Sequence, residues 1–297
     1  MKLRVCKSLW GMNGSLQENL MAIADAGYDA FEFDLPEDDD ELSVLRSARR
    51  SHDLLYYTLI RTAGPDHLAS FGRQLERAKR AGADFVTSNS SADSASLSDK
   101  LRFFEGALRI QSESELPVAH ETHRQTALFT PWDTAKILAQ FPELRLTADY
   151  SHWCCVSESM LDEHADSVGL CNTRSLHIHG RVGHPGGPQV NDPRAPENER
   201  YLQRHEAWWA DIIRQRQADR TPVLSFDPEF GPPGTYMPAV PYTLEPLADL
   251  WDICLWMADR FRGLFASIVT GTGAHAAGAA NSNVDAGQAT MQRRQAR

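Results

Sequence analysis

Short apolar runs rich in branched residues recur along this chain, and between them lie longer stretches whose apolar positions return every three or four residues. The first kind reads as buried strand and the second as amphipathic helix. Eight runs stand out, over 3–6, 30–35, 54–60, 84–88, 117–120, 144–148, 175–179 and 222–226. Helical periodicity occupies 16–26, 67–81, 99–110, 131–140, 201–217 and 244–265. Gly27 and Gly82 follow the first two of these, where a left-handed C-cap is expected. Strand–helix alternation predicts an α/β protein with a parallel sheet under helices. Eight beats predict closure into a single (β/α)8 TIM barrel, an architecture of about 250 residues.

Two segments break the beat. Residues 180–194 and 230–242 are too rich in Gly and Pro to be helical. Long irregular segments after the last strands of a barrel are expected to serve function. Beyond Val269 the chain has almost no large apolar residue. The expected organisation is therefore a barrel over 1–269 and a flexible, disordered tail over 270–297.

The chemistry gathers at four strand ends: His120-Glu121-Thr122-His123, Asp149-Tyr150-Ser151-His152, His177-Ile178-His179 and Asp227-Pro228-Glu229. Residues at the C-terminal ends of barrel strands converge on one face. There Glu121, Asp149 and Glu229 would repel one another, by about 4 kcal/mol per pair at 4 Å and an effective dielectric near 20. Protonation, arginine partners or a cation must relieve that repulsion. Hard oxygens with one imidazole suit a single divalent ion such as Mn²⁺, Mg²⁺, Co²⁺ or Zn²⁺. The competing reading is separate carboxylates paired with Arg124, Arg181 or helix termini. His177 and His179 lie two apart on one strand, and spacing alone does not choose between them. His152, past its strand end, is better placed for a substrate oxygen than for the metal.

Composition narrows the partners. A net charge of −10 argues against nucleic acid. No apolar stretch approaches the roughly 20 residues of a membrane span, and the N-terminus breaks its apolar pattern too early for a signal peptide. The five cysteines include no Cys-x-x-Cys pair and read as reduced thiols of a cytoplasmic protein.

At these residues the chain resembles the xylose isomerase-like barrel superfamily of sugar phosphate isomerases and epimerases, along nearly its whole length from Lys7-Ser8-Leu9-Trp10-Gly11. The motifs are most similar to those of the ketose 3-epimerases. The resemblance implies that Glu121, Asp149, His179 and Glu229 hold one metal ion, and so favours His179 over His177. It also implies that His152, in Asp-x-x-His, and Arg181 contact substrate oxygens, although the arginine follows its histidine sooner than in the epimerases. The loop from Glu229 through Tyr242 is similar to a less characterised branch.

The implied function is a metal-dependent isomerase or epimerase of a sugar or polyhydroxy-ketone. Proton abstraction would pass through a metal-stabilised enediolate, with Glu121 and Glu229 as base and acid. His123, Arg124, Trp10 and Tyr236 complete the candidate substrate contacts, and Tyr57, Trp153 and Phe230 are further candidates for an apolar wall. A dehydratase or lyase would use the same site, with His123 or His152 as the acid. A non-catalytic sugar-binding barrel has no need of two facing glutamates. AP-site endonucleases of the superfamily need further histidines where this chain has Thr58-Leu59-Ile60-Arg61 and Thr87-Ser88-Asn89. Phosphorylation of the substrate, the preferred metal and any homo-oligomer stay open.

Overall fold

The computed structural model describes residues 1–36 and 38–271. Eight parallel strands close into a barrel in sequence order: β1 Lys2–Ser8, β2 Ala30–Asp34, β3 Leu55–Arg61, β4 Phe85–Asn89, β5 Val118–Glu121, β6 Leu146–Ala148, β7 Ser175–His179 and β8 Val223–Asp227. β1 pairs with β8, Lys2 opposite Val223, which completes the ring. Helices α1 Leu16–Asp25, α3 His67–Ala81, α4 Leu97–Ser114, α5 Pro131–Gln140, α8 Glu199–Ala218 and α9 Leu250–Val269 pack outside it. Most of the tail expected over 270–297 lies outside the described residues.

Three helices escaped the periodicity. α2 Asp39–Arg50 carries only a few apolar residues among charges and is started by Asp38, whose carboxylate accepts the Glu41 amide. α6 Tyr150–Val156 and α7 Ala165–Asn172 are 7 and 8 residues long, too short for a repeat to show. α9 begins at Leu250 rather than at 244, because Pro246 interrupts the approach and Asp249 caps the Asp252 amide.

The main core fills the space between barrel and helices. Phe226 of β8, for example, stacks on Phe261 of α9 with ring centroids 3.8 Å apart. A second cluster of Cys6, Ala30, Tyr57, Phe85 and Ala119 plugs the lumen from below. Alternation along each strand sends one residue to each packing region, so strand-end residues in lumen register meet above that plug.

The loops after β7 and β8 are joined. The Gln189 side chain donates to Gly231 O (3.1 Å) and accepts from Gly231 N (2.7 Å). Gly231 lies under Trp10, and a Cβ there would come within 2.4 Å of the indole. Glycine at this position therefore lets the ring pack against backbone.

Candidate metal centre and active site

Each candidate ligand is placed by a local device. Glu121 ends β5, and Asn89 Nδ2 donates to its Oε2 at 2.9 Å. Asp149 follows β6 as the N-cap of α6 and accepts the Ser151 amide at 3.0 Å. The Thr122 hydroxyl accepts from Asp149 N (2.8 Å) and donates to Asp149 O (3.0 Å), so the loops carrying Glu121 and Asp149 are locked together. His179 is the last residue of β7, and Glu229 comes one turn past β8, its amide bonded to Asp227 O at 2.8 Å.

One donor atom from each of Glu121, Asp149, His179 and Glu229 lies within 4.8 Å of the others, and all four residues are buried. His179 Nδ1 stands 3.2 Å from Glu121 Oε1 and 3.0 Å from Glu229 Oε2. Arg181, 1% exposed, bridges two of the carboxylates. Its Nη2 donates to Asp149 Oδ2 at 2.9 Å and to Glu229 Oε2 at 2.6 Å. The alternatives of cation and arginine partner thus fall on the same carboxylates.

Electrostatics follow from burial and these neighbours. Burial alone would neutralise His179, but Glu229, Glu32 and Glu121 outweigh it and raise its pKa well above the usual imidazole value. Burial would likewise raise Glu121, yet His179, His123 and Arg181 bring it down to about 2. Glu229 is lowered against the effect of burial by Arg181 and His179. Asp149 is raised, because burial and the repulsion of Glu229 and Glu121 exceed the help from Arg181. Arg181 thus pairs with Asp149 and Glu229, and the His179 ring stands between Glu121 and Glu229. A donor set of hard oxygens and one imidazole in mutual reach fits a divalent ion, whose charge would offset the three carboxylates.

A cavity of about 420 Å³ opens over this cluster. Trp10, His123, Arg181 and Tyr236 line it. Tyr236 packs edge-on to Trp10 (5.0 Å) and lies 4.5 Å beneath the Arg181 guanidinium. Arg124 sits over Tyr236 at 5.1 Å and is outside the cavity lining. His152 is also outside the lining and fully buried, its ring 3.8 Å from that of His123. Its Nε2 is 3.4 Å from Asp149 Oδ2, and neither ring nitrogen makes a hydrogen bond among the described residues. Burial, with His123 and Arg181 nearby, keeps that imidazole neutral.

Three aromatics expected in the wall belong to the core instead. Trp153 is buried and donates to Leu128 O at 2.9 Å. Tyr57 sits in the lumen plug against His177, and Phe230 is 1% exposed and outside the cavity lining.

Sequence reasoning missed a second acidic layer. Glu32 and Asp34 of β2 line the cavity with Asn89 and Arg61. Glu32 Oε2 is 3.3 Å from His179 Nε2 and 3.8 Å from His177 Nε2. The alternation Ala30-Phe31-Glu32-Phe33-Asp34 held the signal, since an acidic residue in register with a small lumen residue must face inward. Asp227, below Glu229, has no nitrogen or oxygen donor among the described residues, and only the Cys6 thiol reaches it.

Burial and Glu32, against Lys7 and His179, push the Asp227 carboxyl up to about 7. A carboxyl near 3.9 when unfolded and near 7 when folded binds a proton on folding. Stability should therefore fall as pH rises from about 4 to about 7 and stay lower above that. Asp227→Asn is expected to exceed the parent by about 1.5 kcal/mol at pH 5 and by about 4 kcal/mol at pH 8. Urea unfolding of metal-free protein at the two pH values measures this, and an equal difference at both would exclude Asp227 as the titrating group.

No protein-family model matches the chain, and no curated protein matches it. Solved structures do. A xylose isomerase-like TIM barrel protein from Mycobacterium smegmatis in complex with magnesium is 12% identical, with 90% of this chain and 97% of that chain covered and a TM-score of 0.58. A sugar phosphate isomerase/epimerase from Parabacteroides distasonis is 11% identical over 90% and 95% of the two chains, with a TM-score of 0.57. The probable 3-DHS dehydratase AsbF of Bacillus anthracis is 13% identical over 87% and 98%, with a TM-score of 0.56. An AP endonuclease, family 2, from Brucella melitensis shares 14% identity over 78% and 94%, with a TM-score of 0.52. At such identities the likeness is one of fold. This chain has the fold of the xylose isomerase-like TIM barrels.

Proposed function

We propose that this protein is a divalent-metal-dependent isomerase or epimerase of a sugar or related polyhydroxy-ketone. The supporting observation is the convergence of Glu121, Asp149, His179 and Glu229, two of which, Glu121 and Glu229, line a cavity of about 420 Å³, a volume that suits a small polyol. The four residues would hold the ion, which as a Lewis acid would polarise a substrate carbonyl and acidify the adjoining C–H. Of the candidate metals, magnesium is the one bound in the mycobacterial protein of this fold.

The chain's own groups supply the proton transfers. Glu229 would take a proton from the substrate carbon at a carboxylate oxygen and return it to the neighbouring carbon in an isomerisation, while in an epimerisation Glu121 would pass a proton drawn from water to the opposite face. Arg181 and His123, on the cavity wall, would bond substrate oxygens. His152, one layer behind His123, would act through that ring rather than by direct contact. Trp10 and Tyr236 would cover the reacting carbons and keep water from the enediolate. Tyr236→Ala is expected to lower kcat/KM about tenfold, the weight of one aromatic packing contact, with metal affinity unchanged. Unaltered kinetics would place Tyr236 outside the reaction.

A dehydratase reading draws support from one observation, the His123 imidazole on the cavity wall beside Glu121, where it could protonate a leaving hydroxyl. The fold likeness to a probable dehydratase is compatible with it. A DNA-repair reading lacks support: Arg61 and Asn89 stand at the ends of β3 and β4, where further metal-binding histidines would be needed. A panel of polyols and keto-sugars incubated with metal in D₂O and followed by NMR separates the possibilities. Deuterium at carbon without water loss supports isomerase or epimerase, and water loss supports a lyase. Neither, across a broad panel, removes the catalytic reading. The substrate is expected to meet this enzyme as a small molecule in the cytoplasm, and no helix of the described residues is long and apolar enough to cross a membrane.

A further inference from the structure

The imidazole of His179 stands between two groups of acceptors. Its Nδ1 faces Glu121 Oε1 (3.2 Å) and Glu229 Oε2 (3.0 Å), while its Nε2 faces Glu32 Oε2 at 3.3 Å. Glu32 reaches this point from β2, across the lumen from β7, and is 3% exposed. The same Glu32 oxygen accepts from Thr87 Oγ1 at 3.4 Å, which holds the carboxylate at the height of the ring. His177, two residues earlier on β7, does not compete strongly. Its Nε2 is 3.8 Å from Glu32 Oε2, without a hydrogen bond, and its Nδ1 pairs with Ser225 Oγ at 2.8 Å.

An imidazole that gives one nitrogen to a metal keeps its proton on the other, and what that proton bonds to sets both the tautomer and the ring's direction. We propose that Glu32 is the positioning residue of the centre: it accepts the Nε2–H of His179 and so presents the Nδ1 lone pair to the site formed with Glu121, Asp149 and Glu229. This inference rests on the reading that those four residues hold a metal. Glu32 is not itself a ligand of that site, because the ring lies between its carboxylate and the other three.

The rival use of the same atoms is a second metal held by Glu32, His177 and His179, whose donor atoms also lie within 4.8 Å of one another. Occupying both sites would require His179 to lend both nitrogens at once as an imidazolate. Giving up the second ring proton is far less favourable than the single hydrogen bond that Glu32 offers, so the geometry favours one ion per chain.

The test is titration of full-length, chelator-treated protein with Co²⁺, read by visible absorption and calorimetry, for the parent, Glu32→Ala and Glu32→Gln. The expected result is one Co²⁺ per chain in all three. Affinity should fall about 10–100-fold in Glu32→Ala, as for loss of a partner that orients a ligand. It should recover partly in Glu32→Gln, whose amide oxygen still accepts the Nε2–H. In the Zn²⁺-loaded parent, ¹⁵N-edited NMR should show a slowly exchanging Nε2 proton on His179 that is lost in Glu32→Ala. Parental affinity and an unmoved His179 signal in Glu32→Ala would overturn the proposal. So would two Co²⁺ per chain in the parent with one lost in Glu32→Ala, which assigns the second site. A parent that binds no Co²⁺ rejects the four-residue centre itself, and with it the role of Glu32. Glu32→Gln, nearly the same shape, keeps the comparison informative if the alanine variant does not fold.

Discussion

Asp149→Asn should bind a divalent ion more than a hundredfold more weakly than the parent and lose activity in the same proportion, while the barrel stays folded. Partners that only orient a ligand are worth about 10–100-fold in affinity, and loss of a ligand should exceed that. Asparagine is the informative replacement, because Asp149 also caps α6 and its carboxylate accepts the Ser151 amide. An asparagine oxygen can still accept that bond. Alanine would remove the cap, at about 1 kcal/mol, and leave the Arg181 guanidinium with Glu229 alone, so lost metal could not be separated from lost fold. Calorimetric metal titration with circular dichroism on the same samples decides the matter. Parental affinity in the folded variant would remove Asp149 from the centre.

The second large effect concerns Arg181. This guanidinium is a permanent positive charge among three buried carboxylates, and Arg181 Nη2 touches both Asp149 and Glu229. Arg181→Met keeps the bulk and removes the charge. Breaking one side of a buried ion pair typically costs about 3–5 kcal/mol, so the metal-free variant should melt roughly 10 °C lower. Saturating metal should restore much of the difference, since the ion supplies the missing charge. The pH dependence has a definite sign. Without Arg181 the folded pKa of Asp149, already raised, goes higher still and the lowering of Glu229 is lost, so the variant's deficit should be small at low pH and grow as pH rises through the carboxylate range. A metal-free variant as stable as the parent at pH 8 would show that Arg181 is not the counter-charge of the cluster.

This arginine sharpens the relation between charge and reactivity in the site. The guanidinium spans two of the carboxylates proposed as ligands, and it lines the cavity where substrate would sit. The role expected from family resemblance, contact with substrate oxygens, and the observed one, pairing with Asp149 and Glu229, require the same side chain in two settings. The metal-dependence of the Arg181→Met defect would tell them apart.

Much of the molecule was legible in one dimension. Eight short branched runs announced eight strands, because a barrel strand is buried on both faces and tolerates few polar residues. The four strand-end motifs announced the acidic cluster, because strand ends in a closed barrel have only one direction in which to converge. The choice between His177 and His179 was not legible from spacing, since both share the lumen face of β7. The tertiary structure sets His179 among Glu121, Asp149 and Glu229 and leaves His177 one layer lower, against Tyr57 and Phe85. The helices α2, α6 and α7 were hidden for other reasons: α2 has few apolar residues among its charges, and α6 and α7 are too short to show a repeat. Strand-by-strand pattern also placed His152 toward substrate, whereas the start of α6 turns it behind His123. What the sequence by itself determined was which residues face inward, and at which end of the barrel. Which inward residues touch across the lumen (Glu32 with His179, Arg181 with Asp149 and Glu229) was decided only by closure of the ring, because contact between strands far apart in sequence depends on stagger and tilt that no local pattern encodes.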